Sequence, residues 1–127
     1  MPEALFGLEG YWSCWHGDKG YSGVSLHISH ALCPERPAFI HPPFDFEHRI
    51  VTADLGAVTA VSVYVPNGGK DFQAKMRFLE ALDAWVAEAQ AAGRTLVICG
   101  DINIARTEQD VHPKERKPRA IGQLPEE

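Results

Sequence analysis

The residues best suited to chemistry fall in three short segments. The first is Leu96-Val97-Ile98-Cys99-Gly100-Asp101-Ile102-Asn103, an apolar run that delivers a carboxylate and an amide at its end. Open α/β sheets place ligands at the carboxyl ends of their strands. In an extended chain Asp101 and Asn103 share one side while Ile102 and Ile104 take the other. An acceptor or metal ligand then sits beside an amide donor, and Gly100 is expected to let a substrate backbone approach closely. A plain turn with Asn103 as a cap accounts for the same residues. The second segment, Tyr64-Val65-Pro66-Asn67-Gly68-Gly69, brings a phenol and an amide to one sheet edge. Tyr64 also fits a core position with a wet hydroxyl. The third, Lys19-Gly20-Tyr21-Ser22-Gly23, can press its backbone against phosphates or serve as an ordinary hairpin turn.

The elements that must hold these segments follow from periodicity. Val24, Leu26 and Ile28 alternate with Ser25, His27 and Ser29, predicting a strand. The stretch Pro34 to Phe46 contains Pro42-Pro43 and reads as a loop. Arg49 to Leu55 and Val58 to Val65, joined by Gly56-Ala57, predict a hairpin. Its second strand is apolar on both parities, as expected for a strand covered on both faces. Phe72, Met76, Leu79, Leu82, Val86 and Ala89 recur at helical steps, widened by Phe78 and Trp85, and predict a helix from about Asp71 to Ala92. Thr95 to Cys99 reads as a short buried strand, with Cys99 a small core residue. The polar segment Glu108 to Glu127 shows no element. This order predicts an α/β fold with a mixed sheet packed by helices.

Composition limits the function classes. The 127 residues carry a formal charge of −5, and no apolar run is long enough to cross a membrane as a helix. Met1 to Gly10 lacks the basic start and apolar stretch of a secretory leader, so a cytoplasmic protein is expected. An acidic chain is a poor non-specific coat for nucleic acid. The balance is uneven, however: residues 1–60 hold seven acids and three bases, against ten and nine in 61–127. Arg106, Lys114, Arg116, Lys117 and Arg119 make 105–119 the place where a polyanion would be met. Cys14, Cys33 and Cys99 have no paired spacing, which argues against a disulfide framework. His27, His30 and Cys33, with His41 and His48 nearby, outline a zinc module only weakly, because His27 falls on the polar parity of a strand.

Taken together, Lys19-Gly20-Tyr21-Ser22-Gly23-Val24-Ser25-Leu26, Val63 to Gly69, Lys75 to Val86 and Leu96 to His112 resemble the exonuclease III / AP endonuclease family of the endonuclease–exonuclease–phosphatase superfamily. The resemblance runs through nearly the whole chain in the family's order. It implies part of a four-layer α/β sandwich, with residues 1–127 a single partial domain truncated at both ends and 105–127 an irregular tail. It implies a DNA-repair phosphodiesterase hydrolysing the DNA backbone in line. Asp101 would orient or deprotonate the attacking water, Asn103 would hold it and the phosphate, and Tyr64 would hydrogen-bond the phosphate. Asp101 and Asn103 would also hold the metal, Mg²⁺ or alternatively Mn²⁺. Lys19, Gly20, Tyr21 and Asn67 would contact DNA. The partners implied are double-stranded and abasic-site DNA, met by a monomer. The family's glutamate metal ligand and its closing Ser-Asp-His segment have no counterpart here, so the isolated chain is expected to be inactive and its central strands to become edges. A non-catalytic DNA- or partner-binding remnant is the rival expectation.

Overall fold

In a computed structural model, the structure describes residues 7–18 and 20–127. Among the described residues, two sheets and one long helix make up the fold. β1 (Tyr11–Asp18) and β2 (Ser22–Ser29) form an antiparallel hairpin. β3 (Phe39–Ile40), β4 (Ile50–Asp54), β5 (Thr59–Tyr64) and β6 (Leu96–Asp101) form a second sheet in that order. The β3–β4 and β4–β5 pairs are antiparallel, whereas β5–β6 is parallel, with α1 (Phe72–Ala91) as the crossover. The chain is therefore mixed α/β, layered as helix, sheet and hairpin.

Burial explains the layering. Val61, Val63 and Val65 alternate toward α1, which meets them with Phe78, Leu79, Leu82 and Trp85 around Ile50 and Phe44. The hairpin covers the other face, where β2 packs across β4 and β5. The strand buried on both parities is thus β4, with Ile50, Val51 and Ala53 all fully buried. In β5 only the Val61 and Val63 parity is buried, while Ala60, Ser62 and Tyr64 are half-buried. Asp71 caps α1, accepting the Ala74 amide at 2.8 Å.

Several expectations need correction. β6 is not buried: Val97 and Ile98 are exposed, and so is Cys99, which is no core residue. The cause is position, because among the described residues β6 is the last strand of its sheet. β1 and β3 had no signal in the sequence reading, and the 108–127 segment holds single 3-10 turns at Glu108–Asp110 and Pro113–Glu115. No helix among the described residues is long and apolar enough to cross a membrane.

Candidate active site

The parallel pairing of β5 with β6 sets Tyr64 directly beside Asp101, and the Val65 amide donates to the Asp101 carbonyl at 2.9 Å. Both strands end here, and both continue into turns. After β5, Asn67 accepts the Gly69 amide at 3.2 Å, and after β6 the Asn103 amide donates to Asp101 Oδ1 at 2.9 Å. Asn103 has φ 54, so the chain does not stay extended past Asp101, and the expected alternation with Ile102 and Ile104 does not hold. The turn nevertheless keeps the carboxylate and the amide together. Asn103 Nδ2 donates to the Val65 carbonyl at 2.9 Å, which fixes the amide's orientation and leaves Oδ1 facing Asn67 Nδ2 at 3.5 Å.

Gly100 has a different reason from the one expected. Its φ is 128, and a Cβ there would lie 1.9 Å from the Val63 carbonyl oxygen. The close approach belongs to the neighbouring strand, not to a substrate backbone.

Behind the turn lies a cation that the helical stripe concealed. Lys75 is fully buried in α1, and its Nζ donates to the Asn103 carbonyl at 2.9 Å while pairing with the buried Glu127 carboxylate. Glu127 Oε2 also accepts the amides of Gly122 (2.6 Å) and Leu124 (3.0 Å). Burial by itself would raise the Glu127 pKa, but the Lys75 hydrogen bond, the two amides and the Lys75 charge more than offset it and hold the carboxyl below the usual glutamate range.

The hairpin tip reaches the site through Arg49, a residue missed in the sequence. Its guanidinium lies 5.0 Å from the Tyr64 ring centre and 6.0 Å from that of Tyr21. Its Nε bonds Glu47 at 2.7 Å, while its buried Nη1 has no hydrogen-bond partner among the described residues. The only available signal was a basic residue two positions after Glu47 at a strand start. Lys70 approaches the Tyr21 ring at 5.9 Å. Tyr21, Arg49, Tyr64, Asn67 and Lys70 line one cleft of about 340 Å³. Tyr64, Asn67, Asp101 and Asn103 therefore come together, Tyr21 joins them across the cleft, and Gly20 sits with Tyr21 at the hairpin tip. Lys19 lies outside the described residues.

The oxygens present suit a hard cation. One Asp101 carboxylate oxygen is not engaged by the Asn103 amide, and Asn103 Oδ1 faces the same turn. Among the described residues no group of three His, Cys, Asp or Glu ligands gathers here, so water would complete the shell.

Residues 2–123 match the family described as Endonuclease/Exonuclease/phosphatase. The chain belongs to this family. It is 31% identical to DNA repair nuclease APEX1 of Danio rerio, over 92% of this chain and 38% of that protein. It is 30% identical to exodeoxyribonuclease III of Haemophilus influenzae, over 80% of this chain and 42% of that protein. Among solved structures it resembles a 3′-5′ exonuclease (NExo) from Neisseria meningitidis, with a TM-score of 0.70 and 28% identity over 91% of this chain and 46% of that one. An AP endonuclease from Archaeoglobus fulgidus gives a TM-score of 0.67 with 29% identity, covering 88% of this chain and 45% of that one. This family member spans less than half the length of each of these relatives.

Proposed function

We propose that this chain carries part of the catalytic face of a monomeric, Mg²⁺-dependent DNA-repair phosphodiesterase that cuts duplex DNA beside abasic sites. The observation that supports it best is the convergence of Tyr64, Asn67, Asp101 and Asn103 at the carboxyl ends of two parallel strands. Asp101, steadied by the Asn103 amide, keeps a carboxylate oxygen for the attacking water and draws off its proton. The Tyr64 hydroxyl donates to a phosphate oxygen as charge builds there. Asn67 and the Gly20–Tyr21 tip, with Lys19, take the flanking backbone. Oxygens of Asp101 and Asn103 would hold Mg²⁺ (or Mn²⁺), which when bound would supply positive charge to offset that building on the phosphate.

With no second acidic ligand grouped with Asp101 into a metal-binding cluster among the described residues, turnover by the isolated chain is expected to be negligible. The test is therefore single-turnover: chain in excess over a labelled duplex with one abasic site, with Mg²⁺ or EDTA, beside Asp101→Ala. Trace cutting lost in EDTA and in Asp101→Ala is expected. Cutting that persists in either refutes these assignments.

A second reading, DNA binding without cleavage, draws on a separate feature. Arg106, Arg116, Lys117 and Arg119 line a cleft of about 650 Å³ whose walls do not include Asp101. Binding that weakens steeply with salt, with no cutting and no dependence on Asp101, would favour it.

A further inference from the structure

Away from Asp101, where the hairpin meets the loop before β4, three imidazoles gather around a buried carboxylate. His16 of β1 contacts Asp45 Oδ2 through Nε2, and its ring stacks on that of His41 with centres 3.6 Å apart. The His48 ring stands edge-on to His16 at 4.7 Å. The Asp45 side chain is 1% exposed, and its ion-pair partner is His16, which is charged only when protonated. Buried carboxylates are otherwise paired with a fixed charge or ligate a metal. Ligand atoms from His16, His41 and Asp45 all lie within 4.8 Å of one another.

The groups around the cluster orient each ligand. Asp45 Oδ1 accepts the Arg49 amide at 2.7 Å, leaving Oδ2 toward the rings. His41 Nδ1 lies 3.4 Å from the Ile50 carbonyl, which can only accept. The ring's proton is thereby placed on Nδ1, and Nε2 presents its lone pair, the arrangement in which histidines bind metals. His48 holds φ 58, a backbone conformation a non-glycine residue adopts at a cost.

We infer that His16, His41 and Asp45 form a site for one zinc-type divalent ion that ties β1 to the loop preceding β4. The ion replaces the proton shared by His16 Nε2 and Asp45 Oδ2, with His41 Nε2 as third ligand and His48 or water as the fourth. Zinc–nitrogen bonds of about 2.0–2.1 Å put tetrahedral ligands about 3.3 Å apart, so the exposed His41 ring must turn out of its stack on His16 for both nitrogens to meet one ion. The donor set is nitrogen-rich, unlike the oxygen site at Asp101, and suits zinc over magnesium.

The test is titration of the full chain with Zn²⁺ against a chromophoric chelator, together with the absorption spectrum of the Co²⁺ form. One equivalent bound, with an intense tetrahedral cobalt spectrum and no thiolate charge-transfer band, is expected. His41→Gln and Asp45→Asn should each weaken binding by about 10- to 100-fold or more. His30→Gln should not change it. Absence of a stoichiometric ion, a thiolate band implicating Cys14 or Cys33, or affinity unchanged in both variants would overturn the assignment. His41 is exposed, so its replacement spares the fold, and the cobalt spectrum of the unaltered chain decides if Asp45→Asn fails to fold. DNA takes no part in these measurements, so their outcome is independent of the nuclease proposal.

Discussion

Lys75→Met tests how the turn carrying Asn103 is held. The side chains of Lys75 and Glu127 are both 0% exposed, and Nζ bridges the Glu127 carboxylate and the Asn103 carbonyl. Methionine keeps most of the lysine stem and deletes the charge. Glu127 is then left buried with only the Gly122 and Leu124 amides, and the Asn103 carbonyl loses its donor. Removing one partner of a buried pair costs about 3–5 kcal/mol. At this chain length roughly 3 °C accompanies each kcal/mol, so Tm should fall by about 10–15 °C, read by circular dichroism with urea melts alongside. A double variant, Lys75→Met with Glu127→Leu, should recover most of that loss, because no charge remains unpaired. The pH dependence has a definite sign. In the native chain the folded Glu127 pKa is depressed, so its contribution is present above the unfolded value and fades as pH falls through the folded one. The deficit of Lys75→Met should therefore shrink as the pH falls through the carboxylate range. A single variant within about 1 kcal/mol of the native chain, or a double variant as unstable as the single, would refute the reasoning.

Gly100→Ala should unfold the β5–β6 junction, since the new Cβ meets the Val63 oxygen at 1.9 Å; a loss of at least about 2–3 kcal/mol in urea denaturation is expected. Asp71→Ala should cost about 1 kcal/mol by removing the cap of α1, and an unchanged melt would mean the Ala74 amide finds another acceptor. Val97→Lys should reduce light scattering of concentrated chain without lowering Tm, because Val97 is 48% exposed on the strand that ends its sheet among the described residues. Scattering that does not change would place the sticky surface elsewhere.

The sequence disclosed what depends on local pattern and hid what depends on neighbours. The helix and the β4–β5 hairpin were legible because their apolar periods are long and their breaks, Gly56 and Pro66 to Gly69, are strong. β1 was not, because Tyr11 to Asp18 puts aromatic residues on both parities and so shows no period. β3 is a two-residue strand inside a proline-rich loop, too short to leave a pattern. The apolar run of β6 suggested a buried strand, yet burial is decided by what packs on a strand, and β6 lies at the sheet edge. The candidate site was legible as residue types at strand ends. Its supports, Lys75 and Arg49, are single cations that reach the site through residues far away in sequence, Lys75 through Asn103 and Glu127 and Arg49 through the rings of Tyr21 and Tyr64, and no spacing rule points to those contacts. The His16, His41 and Asp45 cluster was hidden likewise, since the close spacing in the chain belongs to His27, His30 and Cys33.

The chemistry of position 103 shows how closely fold and site are tied. The left-handed φ of 54 would suit glycine best, and asparagine is one of the few side chains that adopt it readily. Glycine would lose the Nδ2 bond to the Val65 carbonyl and the Oδ1 facing Asn67. Aspartate could bend the same way but has no donor for Val65, and it would set a second negative charge beside Asp101. Asparagine alone of the three satisfies the turn, the neighbouring strand and the polar face at once. Its carbonyl meanwhile receives the one ammonium that α1 buries. The amide that faces the proposed phosphate is thus held by the same contacts that close the fold, so the site should be rigid before any substrate arrives.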